Sequence, residues 1–504
     1  MISFELKIEN LGKIRSKSIQ IKPFTLFAGK NNSGKSFASK TLYSFLDVIN
    51  VDDISILISD IEEKIKDYIE YYDIRYSSRN DRASNADKLK TPYASLHVSS
   101  QSLDNFYARF KDIEKNIYPI FETLKGINYN ATGHYSIDFL ERMQESLKGI
   151  VKNLASLKDE TEKHDKSKLK HPLIFRHFSL FTDFIKDIKE SIESLIVSLK
   201  DKENLLYLPS KDIFKESILQ NFQVKSISNL VRHPNDESNP ASIYFKDLSG
   251  VNIFGIIFGH DGLEFKFNKE NSYSEKIEYF RDLTTVLFIE SPIYLKLKNV
   301  LEAKDYSSRR LGRLNTRIIG VPRYVYEFFN VLRIDEIKSE FVNLAEKISK
   351  NLGGNIVVNE LGAIMFKEKG EPTESYPISL TALGVANLGI IALLLEKGVI
   401  KKNSCIFIDE PEVNLHPSWQ IVLMEVLCEL AMKGVYVVIS THSLEITKYL
   451  EIESKKEEFA NILAVNHFSD SVEIEKDNVS NNVKFINIKK ELTEPYTELY
   501  FKGI

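Results

Sequence analysis

The sequence predicts an α/β protein with a parallel sheet around a phosphate-binding loop, an antiparallel β lobe beside it and inserted α-helical arms. Three observations predict this fold. A glycine-rich loop follows an apolar strand near residue 29, strands and helices alternate between residues 384 and 451, and long helical patterns rich in lysine and glutamate follow residue 50. Alternation of helix and strand at this spacing is typical of a parallel sheet covered by helices.

Composition excludes several classes of protein. The chain has 504 residues, of which 43% are hydrophobic and 27% charged, as in ordinary globular proteins and unlike a disordered chain or a collagen. Cys405 and Cys428 both lie in apolar runs, so we expect neither a disulfide framework nor a zinc site. The formal net charge of −4 argues against a globally basic nucleic-acid coat, so any nucleic-acid contact must use a local patch.

The first residues, MISFELKIENLGKI, alternate apolar and polar side chains and lack the unbroken apolar run of a signal peptide. No stretch approaches the roughly 18–20 apolar residues that span a bilayer. From these two observations we expect a cytoplasmic protein with no membrane partner.

The amino-terminal part predicts two strands, a loop and a helix. Residues 3–9 alternate in polarity and residues 18–28 end in an apolar run, so both are predicted strands, and a helix follows from residue 35 to about residue 45. Glycine then becomes scarce, and helical spacing in segments such as ISILISDIEEKIKDYIEYY predicts a helical insertion over residues 51–240.

After the insertion, the sequence again shows the alternation of apolar and polar residues that is typical of strands. Between residues 242 and 269 we expect antiparallel strands with a turn at residues 260–262, and residues 284–291 predict a buried strand. A helical arm is predicted over residues 292–345, followed by a hairpin that turns at Leu361 and Gly362.

The carboxyl-terminal part carries the αβ alternation. Its predicted elements are a helix at 384–396, a strand at 405–410, a helix at 417–432, a strand at 435–440 and a helix at 443–451. We therefore expect a discontinuous globular head formed by residues 1–50, 241–291 and 346–504.

The strongest motif is the G-x-x-x-x-G-K-[ST] phosphate loop, formed by Gly29, Lys30, Asn31, Asn32, Ser33, Gly34, Lys35 and Ser36. Its glycines let successive backbone N–H groups point at one phosphate, and the following helix adds its positive end. Lys35 is expected to reach the β- and γ-phosphates, and the Ser36 hydroxyl to ligate Mg²⁺. The alternative, a glycine turn with two lysines, is disfavoured because a strand precedes the motif and a helix follows it.

Two further motifs lie at strand ends. The run CIFIDE ends in Asp409, a candidate Mg²⁺ ligand, and Glu410, a candidate base for the attacking water. The alternative is that both acids cap the helix after Pro411.

His442 follows the next predicted strand, with one helix between the two strands, so it should lie at the same sheet edge as Asp409 and contact the γ-phosphate. The alternative is a histidine with a purely structural role.

These motifs resemble those of the ABC class of ATPases. The segments GKNNSGKS, IFIDEPEVNLHP and ISTHS most resemble the branch that includes SMC proteins, RecF, RecN and the ATPase part of the overcoming-lysogenization-defect (OLD) nucleases. The resemblance covers residues 1–50 and 350–450 well. It implies an ABC-type ATPase head, ATP and Mg²⁺ as ligands, and a homodimer or higher oligomer formed through ATP-gated heads.

The resemblance also implies a signature loop read by the partner's ATP. The candidate is the run SLTALG, whose Gly384 begins the helix that precedes the strand of Asp409. The serine that the family has two residues before this glycine is Ala382 here. Thr381 or Ser379 could supply the hydroxyl, or the contact uses the backbone alone. The sequence does not place the family's glutamine loop.

A basic stretch lies outside these motifs. Arg309, Arg310, Arg313 and Arg317 fall within nine residues that contain no acid. Arginine forks suit phosphates, so the stretch could contact nucleic acid. Docking of a partner protein and a solvated helical face stay open as alternatives.

Two functions from different classes follow from the resemblance. The first is a Septu-like ATPase sensor or scaffold of a bacterial anti-phage defence system, which controls a separate effector, typically a nuclease. No nuclease centre is expected in the chain itself, because the stretch that follows the last αβ unit is too short for the metal-binding domain of OLD nucleases. The second is an SMC- or RecF-like ATPase that clamps DNA in repair or chromosome maintenance.

Overall fold

The computed structural model describes part of the chain. The described residues are 3–50, 152, 186, 190, 193, 211–232, 240–259, 262–267, 283–290, 292–298, 301, 320–332, 339–359, 363–370, 375–469 and 479–502. Most of the predicted insertion, residues 260 and 261 of the expected turn, and the arginine stretch lie outside them. The chain divides into two units, Met1–Asn50 with Pro209–Ile504, and Val51–Leu208. The first unit contains the phosphate loop and the described sheets, and the predicted domain bounds stay a prediction.

The secondary structure of this unit is mixed. Its described strands are β1 (Phe4–Leu11), β2 (Ile14–Ile21), β3 (Phe24–Gly29), β4 (Ala241–Lys246), β5 (Asn252–Phe258), β6 (Leu263–Phe267), β7 (Thr285–Ile289), β8 (Gly354–Val358), β9 (Ile364–Glu368), β10 (Ser375–Pro377), β11 (Ser404–Asp409), β12 (Tyr436–Thr441) and β13 (Leu463–Phe468). Its principal described helices are α1 (Lys35–Asn50), α2 (Lys211–Phe222), α3 (Arg323–Leu332), α4 (Val342–Leu352), α5 (Leu383–Glu396), α6 (Pro417–Met432), α7 (Leu444–Glu453), α8 (Glu457–Ile462) and α9 (Asn481–Lys502).

The predicted parallel sheet is confirmed. Its strand order is β13-β3-β12-β11-β7, and every neighbouring pair is parallel. Strands β3, β11 and β12 are buried along their whole length, which explains why they form near-continuous apolar runs in the sequence. In the register, Asp409 of β11 lies opposite Ser440 of β12. The carboxyl ends of these strands therefore meet at one edge of the sheet.

The predicted antiparallel lobe is also confirmed, with the strand order β2-β1-β4-β5-β6. Helix α1 lies between this lobe and the parallel sheet. On one side Phe45 packs on Phe245 with ring centroids 4.0 Å apart, and on the other Tyr43 packs edge-on against Phe407 at 5.7 Å. Burial of a phenylalanine side chain contributes about 1.5–3 kcal/mol, so these contacts fix the helix that begins at the phosphate loop.

The single strand predicted over residues 18–28 is wrong. The structure has two strands there, β2 in the antiparallel lobe and β3 in the parallel sheet. They separate at Pro23, which has no N–H to donate to a strand ladder, while its carbonyl accepts from the backbone N–H of Val437 at 2.7 Å. The proline therefore marks the point at which the chain changes sheets.

Helix α5 is buried on nearly all sides, in agreement with its continuous apolar sequence. It packs against α4 and against the three-stranded sheet with the order β10-β9-β8. Gly389 permits this approach, because a Cβ atom there would lie 2.7 Å from the Ile356 side chain. The predicted hairpin is confirmed as β8 and β9, although its turn lies outside the described residues.

The sequence reasoning missed three carboxyl-terminal elements, α8, β13 and α9. Strand β13 pairs in parallel with β3 and completes the sheet, and α9 packs against β13 through Phe485 and Ile488. The apolar run LAVNHF is the signal that could have predicted β13.

Cys405 and Cys428 are buried free thiols, in agreement with the sequence. Within the part of the chain that the structure describes, no helix combines the length and apolar character needed to cross a bilayer.

Candidate nucleotide-binding site

The phosphate loop connects β3 to α1 through a backbone that needs glycine at two positions. Gly29 has φ of 149°, and a Cβ atom there would lie 1.9 Å from the carbonyl oxygen of Phe468 on β13. Gly34 has φ of 99°, in the region that favours glycine. Asn32 also has a positive φ, 67°, which asparagine tolerates better than most residues. The loop therefore has the conformation that the motif predicts.

Lys35 is held inside the loop. Its side chain is buried, and its Nζ donates to the carbonyl oxygens of Gly29 at 2.8 Å and Lys30 at 2.6 Å. Burial lowers the pKa of Lys35, while the negative charges of Glu410 and Asp409 oppose that shift. The ammonium group therefore lies between the loop carbonyls and the acids that end β11, where it can meet a bound phosphate.

The other loop side chains differ in exposure. Ser33 Oγ donates to the Lys30 carbonyl at 2.8 Å, which closes the turn from within. The Lys30 side chain points outward, since its Nζ lies 2.6 Å from Oε2 of Glu494 on α9 and the side chain is 42% exposed. Asn31 and Asn32 are exposed at the tip of the loop. Their predicted contacts with a nucleotide stay a prediction.

Ser36 and Asp409 lie together, as the sequence predicts. Ser36 Oγ donates to Asp409 Oδ1 over 3.1 Å. Asp409 is 5% exposed, and burial raises its pKa to about 6, while the hydrogen bond from Ser36 and the positive charge of Lys40 act in the opposite direction. Oxygen ligands at about 2.1 Å from Mg²⁺ in adjacent octahedral positions lie about 3 Å apart. This part-buried pair of hard oxygen donors fits Mg²⁺, and a cation there would offset the cost of ionising Asp409.

Glu410 follows Asp409 in a constrained backbone conformation. Its φ is 52°, and its N–H donates to the Ser440 carbonyl at 2.8 Å. Its side chain is 39% exposed, and its Oε1 lies 3.6 Å from Nδ1 of His442. Helix α6 begins at Pro417 with His416 at its N-cap, so Asp409 and Glu410 do not cap the helix that follows them. The structure thus places Glu410 and His442 side by side at the edge where β11 and β12 end.

Glu412 is a site residue that the sequence reasoning missed. Its side chain is only 8% exposed, and its Oε1 accepts hydrogen bonds from Thr441 Oγ1 at 2.8 Å and from the His442 N–H at 2.7 Å. The repeated acid in the run DEPE was the available signal. The contact crosses from the segment after β11 to the end of β12, so it depends on the strand register.

A second missed group lies near Asp409. Glu290, directly after β7, forms an ion pair with Lys40 of α1 over 2.6 Å and accepts a hydrogen bond from the Tyr324 hydroxyl. Lys40 lowers the pKa of Asp409 and Glu290 raises it, so both groups lie within electrostatic range of that carboxylate. The signal was an acid at the end of a buried strand, in the run LFIE.

Gly384 lies in the first turn of α5, away from the surface. A Cβ atom there would lie 2.4 Å from the carbonyl oxygen of Asn414, and 3.5 Å from the Trp419 ring. Gly384 therefore packs closely against the backbone of the segment that follows Glu410. Its predicted contact with a partner's ATP stays a prediction, as does the arginine stretch, which lies outside the described residues.

No curated protein matches the chain. Matching solved structures include the SmcHead bound to the C-winged helix domain of ScpA, which is 9% identical with a TM-score of 0.34 and covers 89% of this chain and 92% of that chain. The SMC head domain from Thermotoga maritima is 13% identical with a TM-score of 0.24, and covers 50% of this chain and 78% of that chain. At these scores the likeness carries no argument about this chain.

The family comparison is more extensive. A family model described as AAA ATPase domain matches residues 1–447, from the first strand of the antiparallel lobe through the phosphate loop and the acids of β11 to the start of α7. The match therefore includes Lys35, Asp409 and His442. The chain belongs to the AAA ATPase domain family.

Proposed function

We propose that the chain binds ATP with Mg²⁺ and hydrolyses it at the edge where β3, β11 and β12 end. The single observation that carries this proposal is the hydrogen bond between Ser36 and Asp409. It joins the phosphate loop to the acid of the neighbouring αβ unit, as a shared metal site requires. The buried Lys35 ammonium group completes the cradle with a positive charge for the phosphates.

Each side chain then has a separate role. Lys35 and the loop N–H groups bind the β- and γ-phosphates, and Ser36 with Asp409 would hold Mg²⁺, which supplies charge neutralisation at the phosphates. Glu410 is exposed enough to contact water and orients it for attack while accepting its proton. His442 contacts the γ-phosphate region from the end of β12.

The test measures phosphate release from ATP with and without Mg²⁺. Wild-type protein should release phosphate only with Mg²⁺. Glu410→Gln keeps the shape of the side chain and removes the base, so we expect kcat to fall by at least about 100-fold while ATP affinity is kept. Glu429→Gln, which changes a surface acid of α6 paired with Lys433, is the matched control. Turnover of Glu410→Gln at the wild-type rate would show that Glu410 is not the base.

Two copies of the head are proposed to close on ATP. The support is the position of the candidate signature turn: Leu380, three residues before α5 begins at Leu383, is 75% exposed. A helix N-terminus can face a phosphate of a second copy there. Sedimentation of Glu410→Gln with ATP should show a dimer that is absent without ATP. A monomer under both conditions would rule out ATP-gated association.

We further propose that the ATP state controls a separate effector protein, a nuclease, in a cytoplasmic anti-phage defence system. The support is the resemblance of the motifs to OLD-like and Septu-like ATPases and the size of the sequence between α1 and β4. Purification with the proteins encoded beside it should capture the effector. The alternative, a DNA clamp in repair or chromosome maintenance, predicts instead that DNA is retained, and Arg309→Glu, Arg310→Glu and Arg313→Glu together should then weaken that binding with a steep salt dependence.

A further inference from the structure

Glu412 carries a buried carboxylate for which the proposed reaction has no role. It lies two residues after Glu410, yet its side chain is 8% exposed where that of Glu410 is 39% exposed. Burying an ionised carboxylate is costly unless hydrogen bonds compensate it. Charge-assisted hydrogen bonds are the stronger kind, so the partners of Glu412 indicate what the buried charge does.

Those partners belong to the end of β12. Glu412 Oε1 accepts from the Thr441 hydroxyl at 2.8 Å and from the His442 N–H at 2.7 Å. The same oxygen lies 3.2 Å from Nδ1 of the His442 ring. One carboxylate oxygen therefore contacts both the backbone and the side chain of His442.

The His442 ring lies with its Nδ1 edge toward two carboxylates, since Oε1 of Glu410 is also only 3.6 Å away. A proton on Nδ1 would face acceptors there. The outer ring nitrogen, Nε2, is then the one that can contact a phosphate oxygen or a water. In this orientation the carboxylates of Glu412 and Glu410 face Nδ1 and leave Nε2 for the reacting groups.

The backbone of Glu412 is held from the other side. Asn387 Nδ2 on α5 donates to the carbonyl oxygen of Val413 at 3.2 Å and lies 3.5 Å from that of Pro411. These two residues flank Glu412 in the chain. A buried amide therefore fixes the backbone while Thr441 and His442 hold the side chain, so the carboxylate has little freedom to move.

The competing role for Glu412 is that of a second general base in the reaction. Its low exposure and its two short hydrogen bonds argue against that role, because a base must reach the water whose proton it takes. Glu410, with the more exposed side chain, suits the base better. The contacts of Glu412 instead match those of a residue that orients a neighbouring functional side chain.

We propose that Glu412 is a positioning residue that fixes the backbone and the ring orientation of His442 for ATP hydrolysis. The proposal rests on the proposed role of His442. It assigns to Glu412 an effect on turnover that passes through His442 and leaves nucleotide affinity nearly unchanged.

The first arm of the test needs no nucleotide. Protein labelled with ¹⁵N-histidine is studied by NMR, and the signals of His442 are assigned by their loss in His442→Ala. The short bond to a carboxylate should give the His442 amide proton a downfield shift, which Glu412→Ala removes and Glu412→Gln largely keeps, since an amide oxygen can accept the same bond. An unchanged His442 signal in Glu412→Ala overturns the proposal.

The second arm is a double-mutant cycle on kcat and on the Kd for ATP. Loss of a residue that orients a functional group typically costs about 10–100-fold in activity. We expect Glu412→Ala to lower kcat by at least about tenfold, with the Kd for ATP changed by less than about threefold. In the His442→Ala background the same change should have almost no effect. Glu412→Gln should recover most of the wild-type kcat.

The outcomes separate the two proposals. Unchanged turnover in His442→Ala contradicts the proposed role of His442 and removes the basis of this inference. A second outcome is that His442→Ala lowers turnover and that adding Glu412→Ala lowers it further by the same factor as in wild type. That outcome contradicts the positioning role of Glu412 and leaves the role of His442 intact. Thermal unfolding of each variant checks its fold, and if Glu412→Ala does not fold, Glu412→Asp replaces it, because the shorter side chain should lose the same bonds. Glu425→Gln, a surface acid of α6 paired with Lys347, is the control that should match wild type throughout.

Discussion

Ser36 Oγ donates a hydrogen bond to Asp409 Oδ1 over 3.1 Å, and this bond joins the first turn of α1 to the last residue of β11. The two residues are 373 positions apart in the chain. They meet because β3 and β11 flank β12 in one parallel sheet, whose carboxyl edge gathers residues from separate αβ units. The first two predictions below test this pair directly.

The first prediction concerns the Ser36 hydroxyl. Ser36→Ala removes one of the two proposed Mg²⁺ ligands, so the Mg²⁺ concentration needed for half-maximal ATPase activity should rise by about tenfold or more. Ser36→Thr keeps a hydroxyl that the motif accepts and should stay near wild type. Titration of the ATPase rate with Mg²⁺ measures both variants. An identical Mg²⁺ dependence for Ser36→Ala and wild type would contradict the assigned ligand.

The second prediction concerns pH and stability without metal. Burial raises the pKa of Asp409 to about 6 from an ordinary value of 3.8, so the folded state binds this proton more tightly than the unfolded state does. The free energy of unfolding should therefore fall as pH rises from about 4 to about 6 and stay reduced above it, by up to about 3 kcal/mol.

Asp409→Asn removes that titration and keeps an acceptor for Ser36. In EDTA and without nucleotide, we expect Asp409→Asn to unfold at a higher temperature than wild type at pH 8, with the difference shrinking toward pH 4.5. Glu429→Gln, a surface change on α6, should show no such pattern. A lower unfolding temperature for Asp409→Asn at pH 8 would contradict the cost assigned to the buried charge.

The third prediction compares two lysines of one loop. Lys35 is buried among loop carbonyls, whereas Lys30 is half-exposed and paired with Glu494. Hydrogen bonds to charged groups contribute about 1.5–3 kcal/mol, so Lys35→Ala should weaken ATP binding by about 10- to 150-fold. Lys30→Ala should change it by less than about threefold, because an exposed ion pair contributes about 0–1 kcal/mol. Titration with a fluorescent ATP analogue measures both affinities. Equal losses in the two variants would contradict the assigned role of Lys35.

Local sequence patterns predicted the parts of the site that lie within one element or at its end. The phosphate loop, the acids of β11 and the position of His442 after β12 all follow from a motif beside an apolar run. The run DEPE marks Glu412 as a second acid, but its role could not be found in this way, because its partners Thr441 and His442 lie a whole αβ unit further along the chain and depend on the β11–β12 register. A single sequence specifies such pairing only after the sheet order is known.

The fold was predictable to a similar extent. Hydrophobic periodicity and apolar runs predicted the αβ alternation. They also merged β2 and β3 into one predicted strand, because the residues on both sides of Pro23 have strong strand character. The apolar run of β13 is a local signal, but its place in the sheet could not be predicted, because its neighbour β3 lies near the opposite end of the chain. Long-range pairing, which local pattern does not encode, accounts for both errors.

The last prediction concerns Gly384 and separates two reasons for a glycine there: packing against Asn414 and contact with a nucleotide. A Cβ atom there would lie 2.4 Å from the Asn414 carbonyl oxygen, a backbone atom that cannot rotate away. Overpacking of this kind typically costs about 1–3 kcal/mol. Replacing a helical glycine by alanine returns about 1 kcal/mol of helix propensity. The net loss for Gly384→Ala should therefore reach about 2 kcal/mol, seen as a lower unfolding temperature without nucleotide.

Gly262→Ala is the matched control, since a Cβ atom there would have no neighbour within 4 Å, and it should unfold like wild type. Because α5 packs through Gly384 on the segment after Glu410, the same variant should also lower kcat in proportion to the displacement of that segment. If Gly384→Ala keeps the wild-type unfolding temperature and loses only ATP-dependent dimerisation, the packing argument is wrong. The glycine would then be required by the nucleotide of the second copy and not by Asn414.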